Sequence, residues 1–117
     1  NAPESMAVTG TSDTKAAFEK LKSMVPNCVV TDGAQGAMVH FGNQEAHVPA
    51  IACQPKDLTG AGDMFAGAFL YGITHGVAPE RATCGANYLC HKVITQVGAR
   101  LRHGATDFWK TALAAKD

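Results

Sequence analysis

Apolar positions along the chain fall into blocks with two different periods. Ala16, Ala17, Phe18, Leu21 and Met24 recur near every 3.6 residues behind Ser12 and Asp13, either of which can cap a helix. Pro26 closes that block, so a helix is predicted between them. The next blocks are short and strand-like. Residues 28–31 read as a buried strand, Asp32-Gly33 as a turn and residues 36–41 as a second strand. Gly42-Asn43 then predicts a tight hairpin, returning through residues 45–48 until Pro49 stops the strand.

From Gly60 onward the pattern changes. Residues 61–76 are small or apolar almost all round, which predicts a buried helix. Pro79 suits a helix N-terminus, and residues 80–97 form the next helix, ending at Gly98. Thr106-Asp107 begins a last short helix through Leu113. No repeat, linker or low-complexity tract interrupts the series. The order predicts an α/β layered sheet, incomplete on its N-terminal side. The chain starts at Asn1 rather than Met, so a portion of a longer protein is expected.

Composition narrows the function classes. With 117 residues, 46% hydrophobic and 17% charged, the chain suits one folded domain, residues 1–117, and not a disordered segment. Ten basic side chains balance ten acidic ones, so no electrostatic footprint for nucleic acid or an anionic membrane exists. No apolar run approaches the roughly 18–20 residues that span a bilayer. Cys28, Cys53, Cys84 and Cys90 lie among apolar neighbours without zinc-ribbon spacing, as expected of free thiols in a reducing cytoplasm. Cys90-His91 is no metal pair, because adjacent helical residues point in different directions. His40, His47, His75 and His103 are scattered and read as surface groups, and Phe108 and Trp109 as anchors of the last helix.

Local chemistry concentrates in Thr59-Gly60-Ala61-Gly62-Asp63, which leads into the apolar helix. The first amides of a helix lack internal partners and carry the positive end of its dipole. Glycines at 60 and 62 let an anion approach that backbone, forming a hole for charge developing on a transferring phosphoryl group. Asp63 has two readings. It can cap the helix, or it can orient an acceptor hydroxyl and take its proton.

The whole string Asp57-Leu58-Thr59-Gly60-Ala61-Gly62-Asp63-Met64-Phe65-Ala66-Gly67 resembles the C-terminal signature of the ribokinase-like (PfkB) carbohydrate and nucleoside kinases. Asn1-Ala2-Pro3-Glu4 is similar to the family's Asn-x-x-Glu segment. Residues 29–37 resemble its phosphate-lining strand–turn–strand, and residues 85–99 its late helix and loop bordering adenine. The resemblance implies the C-terminal portion of a three-layer, Rossmann-like ribokinase sandwich, with the N-terminal part and lid lying outside this chain. It implies Asp63 as catalytic base and Gly60, Ala61 and Gly62 as the anion hole. Thr31, Gly33, Gly36 and Asn87 would contact ATP, and Asn1 and Glu4 would organise Mg²⁺. A monovalent cation, K⁺, would add a cage from Asp57, Thr59 and the carbonyls of Val93, Gln96 and Gly98. Leu58 stands where the family usually has Thr. The implied acceptor is a sugar or nucleoside; residues 67–72, 83–85 and 97–100 look closest to adenosine or sugar kinases, with ribose, fructose and ketodeoxygluconate as alternatives. The resemblance also leaves room for a homodimer through the lid. Phe65 and Gly67 would pack against the sheet, and Asp32 would shape its turn.

Two rivals come from other classes. A dinucleotide-binding oxidoreductase needs Gly-x-Gly-x-x-Gly after a first strand, whereas here Asp63 falls where pyrophosphate would sit. A binding module derived from a kinase but inactive would have no use for Asp63 together with Asn1 and Glu4.

Overall fold

The computed structural model describes residues 1–101, 109–111 and 113; Thr106, Asp107, Phe108 and His103 lie outside these. The chain opens with α1 (Ala2–Thr9), which the hydrophobic pattern does not announce. Its buried positions are Ala2, Ser5 and Thr9, small or polar residues that leave no apolar stripe. A capping box starts it instead. Asn1 Oδ1 accepts the Glu4 N–H at 3.0 Å, and the Glu4 carboxylate reaches back to the Asn1 nitrogen at 3.0 Å. In α2 (Thr14–Met24), Asp13 caps the helix by accepting the Ala16 N–H at 2.8 Å, and Ala17 and Phe18 are buried.

Strands β1 (Cys28–Thr31), β2 (Ala37–Phe41) and β3 (Gln44–Val48) form an antiparallel sheet in that order. Phe41 pairs with Gln44, so Gly42-Asn43 is a two-residue loop; its φ values of 58° and 65° fit the expected primed turn. Register fixes the two faces. Val29 lies opposite Val39, and Val39 opposite Ala46, on one face; Val30 and Met38 pair on the other.

Helices α3 (Ala61–Thr74) and α4 (Pro79–Ile94) cover the first face, where Ala37 and Val39 join Phe65, Phe69, Ala86 and Leu89 in one core. Against the second face lie α1 and α2, with Lys22 of α2 paired to Glu45 of β3 at 2.5 Å. The result is three layers, helix–sheet–helix, as expected. Trp109 closes the core by lying on two glycines. A Cβ on Gly85 would come 2.4 Å from its ring, and one on Gly72 3.1 Å. Its anchoring role matches the expectation.

Three details differ from the sequence reading. Helix α3 is buried on one face only: Phe65, Ala68, Phe69 and Gly72 are inside, whereas Leu70 is 57% exposed and Tyr71 48%. Gly67 is on the open side, with nothing within 4 Å of a Cβ built there, so Phe65 packs inward and Gly67 does not. Helix α4 stops at Ile94 and not at residue 97. The N–H groups of Lys56 and Asp57 bind the Ile94 carbonyl at 2.8 and 3.2 Å, and Asp57 Oδ2 takes the Gly98 N–H at 3.0 Å. Those contacts draw the chain off the helical path.

Candidate functional site

The N-terminus of α3 is the centre of the site. Gly60 precedes it in the left-handed region at φ 83°, and a Cβ there would fall 2.8 Å from the Ala99 Cβ, so glycine is required. No side chain caps this end. Asp63 therefore does not act as the N-cap. It sits exposed in the first turn, and its carboxylate makes no hydrogen bond among the described residues. The Ala61 N–H leans on the Leu58 carbonyl at 3.3 Å, a long contact. Gly62 is different from Gly60. Its φ is ordinary, and no atom lies within 4 Å of a Cβ built on it. Nothing among the described residues demands glycine at 62; the open space beside the helix end is what it preserves.

Two cavities meet there. The first, about 540 Å³, is lined by Thr31, Gly33, Gly36 and Asn87 together with Ala61 and Gly62. The second, about 650 Å³, is lined by Asn1, Glu4, Gly62 and Asp63. Thr31, Gly62 and Phe65 border both. The four residues expected at the nucleotide thus share one cavity, and the Asn-x-x-Glu segment shares the next with Asp63. Asn1 and Glu4 are also partners in the capping box of α1, so their polar groups already hold each other.

Turn geometry shapes the first cavity. Asp32 N–H donates to the Gly36 carbonyl at 2.8 Å and Gln35 N–H to the Asp32 carbonyl at 2.9 Å, which gives Asp32 the expected turn role. Gly36, at φ 94°, lies so close to β3 that a Cβ would be 2.1 Å from the Val48 carbonyl oxygen. Gly33, at φ 52°, opens on free space. Asn87 Nδ2 donates to the carbonyls of Val48 and Pro49, both at 3.2 Å, tying α4 to the end of β3.

The residues expected around a monovalent cation are partly gathered. Asp57 Oδ1 accepts the Thr59 N–H at 3.0 Å and Oδ2 the Gly98 N–H. The Thr59 side-chain hydrogen bond, then the two amides, hold the Asp57 carboxyl down to about 2. Val93 is fully buried, and its carbonyl accepts the N–H groups of Thr95 and Gln96. The Gln96 side-chain amide donates to the Arg100 carbonyl. Among the described residues no three His, Cys, Asp or Glu side chains cluster in a way that could hold a metal ion.

None of the four cysteines forms a disulfide among the described residues, and all are half-buried. His40, His47 and His75 donate to the carbonyls of Pro26, Gln35 and Tyr71, structural contacts as expected. Two wall residues of the first cavity escaped the sequence reading. The Cys90 thiol donates to the Ala61 carbonyl at 3.2 Å, and burial pushes it up to about 12, so it stays protonated. His91 is the other. Helical spacing could have found both, since positions 87, 90, 91 and 94 fall on one side of α4.

Comparison with known proteins gives the family of the chain. The pfkB family carbohydrate kinase profile matches residues 1–103. The chain belongs to that family. The ribokinase of Lactococcus lactis is 35% identical over 82 residues, which cover 70% of this chain and 27% of that protein. The adenosine kinase of Sinorhizobium meliloti superposes with a TM-score of 0.87 at 32% identity, covering 96% of this chain and 35% of that one. A putative ribokinase II from E. coli, solved with ATP and Mg²⁺, gives 0.79 at 26% identity, covering 97% of this chain and 37% of that one. The chain therefore spans about a quarter to a third of the length of such relatives. No helix among the described residues is long and apolar enough to cross a membrane.

Proposed function

We propose that the protein carrying this chain is an ATP-dependent kinase that phosphorylates a hydroxymethyl group of a sugar or nucleoside, adenosine being the favoured acceptor. One observation carries the reading. The cavity of Thr31, Gly33, Gly36 and Asn87 and the cavity of Asp63, Asn1 and Glu4 join at the uncapped, open end of α3, beside Gly62. A donor phosphate in the first and an acceptor hydroxyl in the second would meet there.

In the transfer, the acceptor oxygen bonds to the γ-phosphorus as the bond to the β–γ bridging oxygen breaks, and ADP leaves. Asp63 takes the hydroxyl proton, and the amides at residues 60–62 bind the charge spread over the phosphoryl oxygens. Gly33 and Gly62, with free space where a Cβ would be, leave the cradle that phosphates need. Asn1 and Glu4 would hold Mg²⁺, which when bound would neutralise phosphate charge. K⁺ would sit by Asp57 and Thr59 with the carbonyls of Val93, Gln96 and Gly98. Four cysteines outside any disulfide among the described residues suit a reducing cytoplasm. Likeness to the Sinorhizobium meliloti adenosine kinase supports the choice of acceptor.

ADP release from MgATP, measured with adenosine, ribose, fructose and ketodeoxygluconate in the intact protein, tests the reading. Acceptor-dependent turnover, highest with adenosine, is expected. ADP formation that no acceptor stimulates would overturn it.

A further inference from the structure

An anion hole at residues 60–62 works only if its amides point at the transferring group. Ala61 lies between Gly60 and Gly62, so this first turn of α3 has two residues without a Cβ, and no side chain caps it. Glycines leave a backbone free to turn, and the amides of such a turn keep their aim only if something outside the helix steadies them.

Helix α4 steadies the segment at two points. The Ile94 carbonyl binds the N–H groups of Lys56 and Asp57 at 2.8 and 3.2 Å, ahead of the glycines. One turn earlier on the same side of α4, the Cys90 thiol donates to the Ala61 carbonyl at 3.2 Å, between the glycines. Residues 56–61 are therefore tied to α4 at both ends.

The second tie acts on the hole itself. The Ala61 carbonyl and the Gly62 N–H belong to one planar trans peptide, so they point in opposite directions. A contact that fixes the carbonyl also fixes the amide. With the thiol behind the carbonyl, the Gly62 N–H is turned away from Cys90 toward the open end of α3. That N–H is one of the first four of the helix, which have no partner inside it, and Gly62 borders both cavities. The Ala61 oxygen has two lone pairs, so it can accept the thiol beside the Phe65 N–H that helical geometry brings to it.

We infer that Cys90 is a positioning residue for phosphoryl transfer, its thiol holding the Ala61–Gly62 peptide so that the Gly62 N–H faces the transferring group. The inference rests on the kinase reading above. Burial pushes the thiol up to about 12, so it keeps its proton and remains a donor at neutral pH. A thiol is a weak donor, and the effect on turnover is correspondingly modest.

Steady-state kinetics of the intact protein with MgATP and its best acceptor, together with calorimetric titration with MgATP, test this. Cys90→Ala should lower kcat about five- to tenfold and leave MgATP affinity within about twofold, which also certifies that the variant is folded. Cys90→Ser, whose hydroxyl can donate in the same direction, should recover most of the lost kcat. Cys90→Val fills the space without a donor; it should be as slow as Cys90→Ala, and it takes that variant's place if alanine prevents folding. Wild-type kcat in the donor-less variants, a loss of MgATP affinity without a loss of kcat, or a serine variant as slow as alanine would overturn the role of Cys90 alone. A wild-type protein that transfers no phosphate from MgATP to any acceptor would overturn the kinase reading, and the inference with it.

Discussion

Gly62→Ala separates what the fold needs from what the ligand needs. The residue lies in the first turn of α3 with ordinary φ, and a Cβ there would meet no atom within 4 Å. Alanine loses less backbone entropy on folding than glycine and is the better helix former by about 0.5–1 kcal/mol in a helix interior. At the first turn the lower half of that range applies, so the variant should be about 0.5 kcal/mol more stable than wild type. The same methyl would occupy the open space where two cavities meet, between the residues placed at the nucleotide and Asp63. Displacing a transferring phosphoryl group from its amide donors costs about 2.7–4 kcal/mol, a loss of about 10²–10³ in turnover. Urea denaturation read by circular dichroism gives the first quantity and steady-state kinetics the second. A destabilised Gly62→Ala would refute the view that nothing internal requires this glycine. A stable variant with wild-type turnover would refute the anion hole.

Other substitutions should behave in the opposite way or respond to pH. Gly36→Ala would combine a left-handed φ of 94° with a Cβ 2.1 Å from the Val48 carbonyl. It should lose about 2–5 kcal/mol in the same denaturation experiment; a loss under 1 kcal/mol would show that the turn shifts freely. Asp57 is held down to about 2 from an ordinary 3.8, so its folded-state advantage is present above pH 3.8 and disappears as pH falls toward 2. Asp57→Asn should flatten the fall of stability with acid across that window, and an unchanged pH profile would contradict the tie between residues 57 and 98.

Much of the fold was legible because local chemistry and hydrophobic period agreed. Gly42-Asn43 specified a primed hairpin turn, and alternation about it fixed which side of β2 met α3 and α4. Helix α1 was not legible as a helix because Ala2, Ser5 and Thr9 make its buried side. Its capping box, Asn1 and Glu4, was present in the sequence but was read only as a ligand motif. The outer face of α3 misled for another reason: Leu70 and Tyr71 are apolar yet exposed, and period alone does not say what covers a face. For the site, glycine patterns located the turn at Gly36 and the start of α3 at Gly60, since both positions answer to backbone geometry. Cys90 and His91 were missed because helical spacing puts them on one side of α4 with Asn87, but only the fold shows that this side faces the first cavity.

The most direct measurement is the single-turnover rate of Asp63→Asn in the intact protein, with MgATP affinity measured in parallel. Asparagine keeps the size and can still orient a hydroxyl, but it cannot take the proton. The phosphoryl-transfer rate should fall about 10²–10⁴-fold while MgATP affinity stays within about threefold of wild type. A variant that transfers phosphate at the wild-type rate would show that Asp63 is not the base.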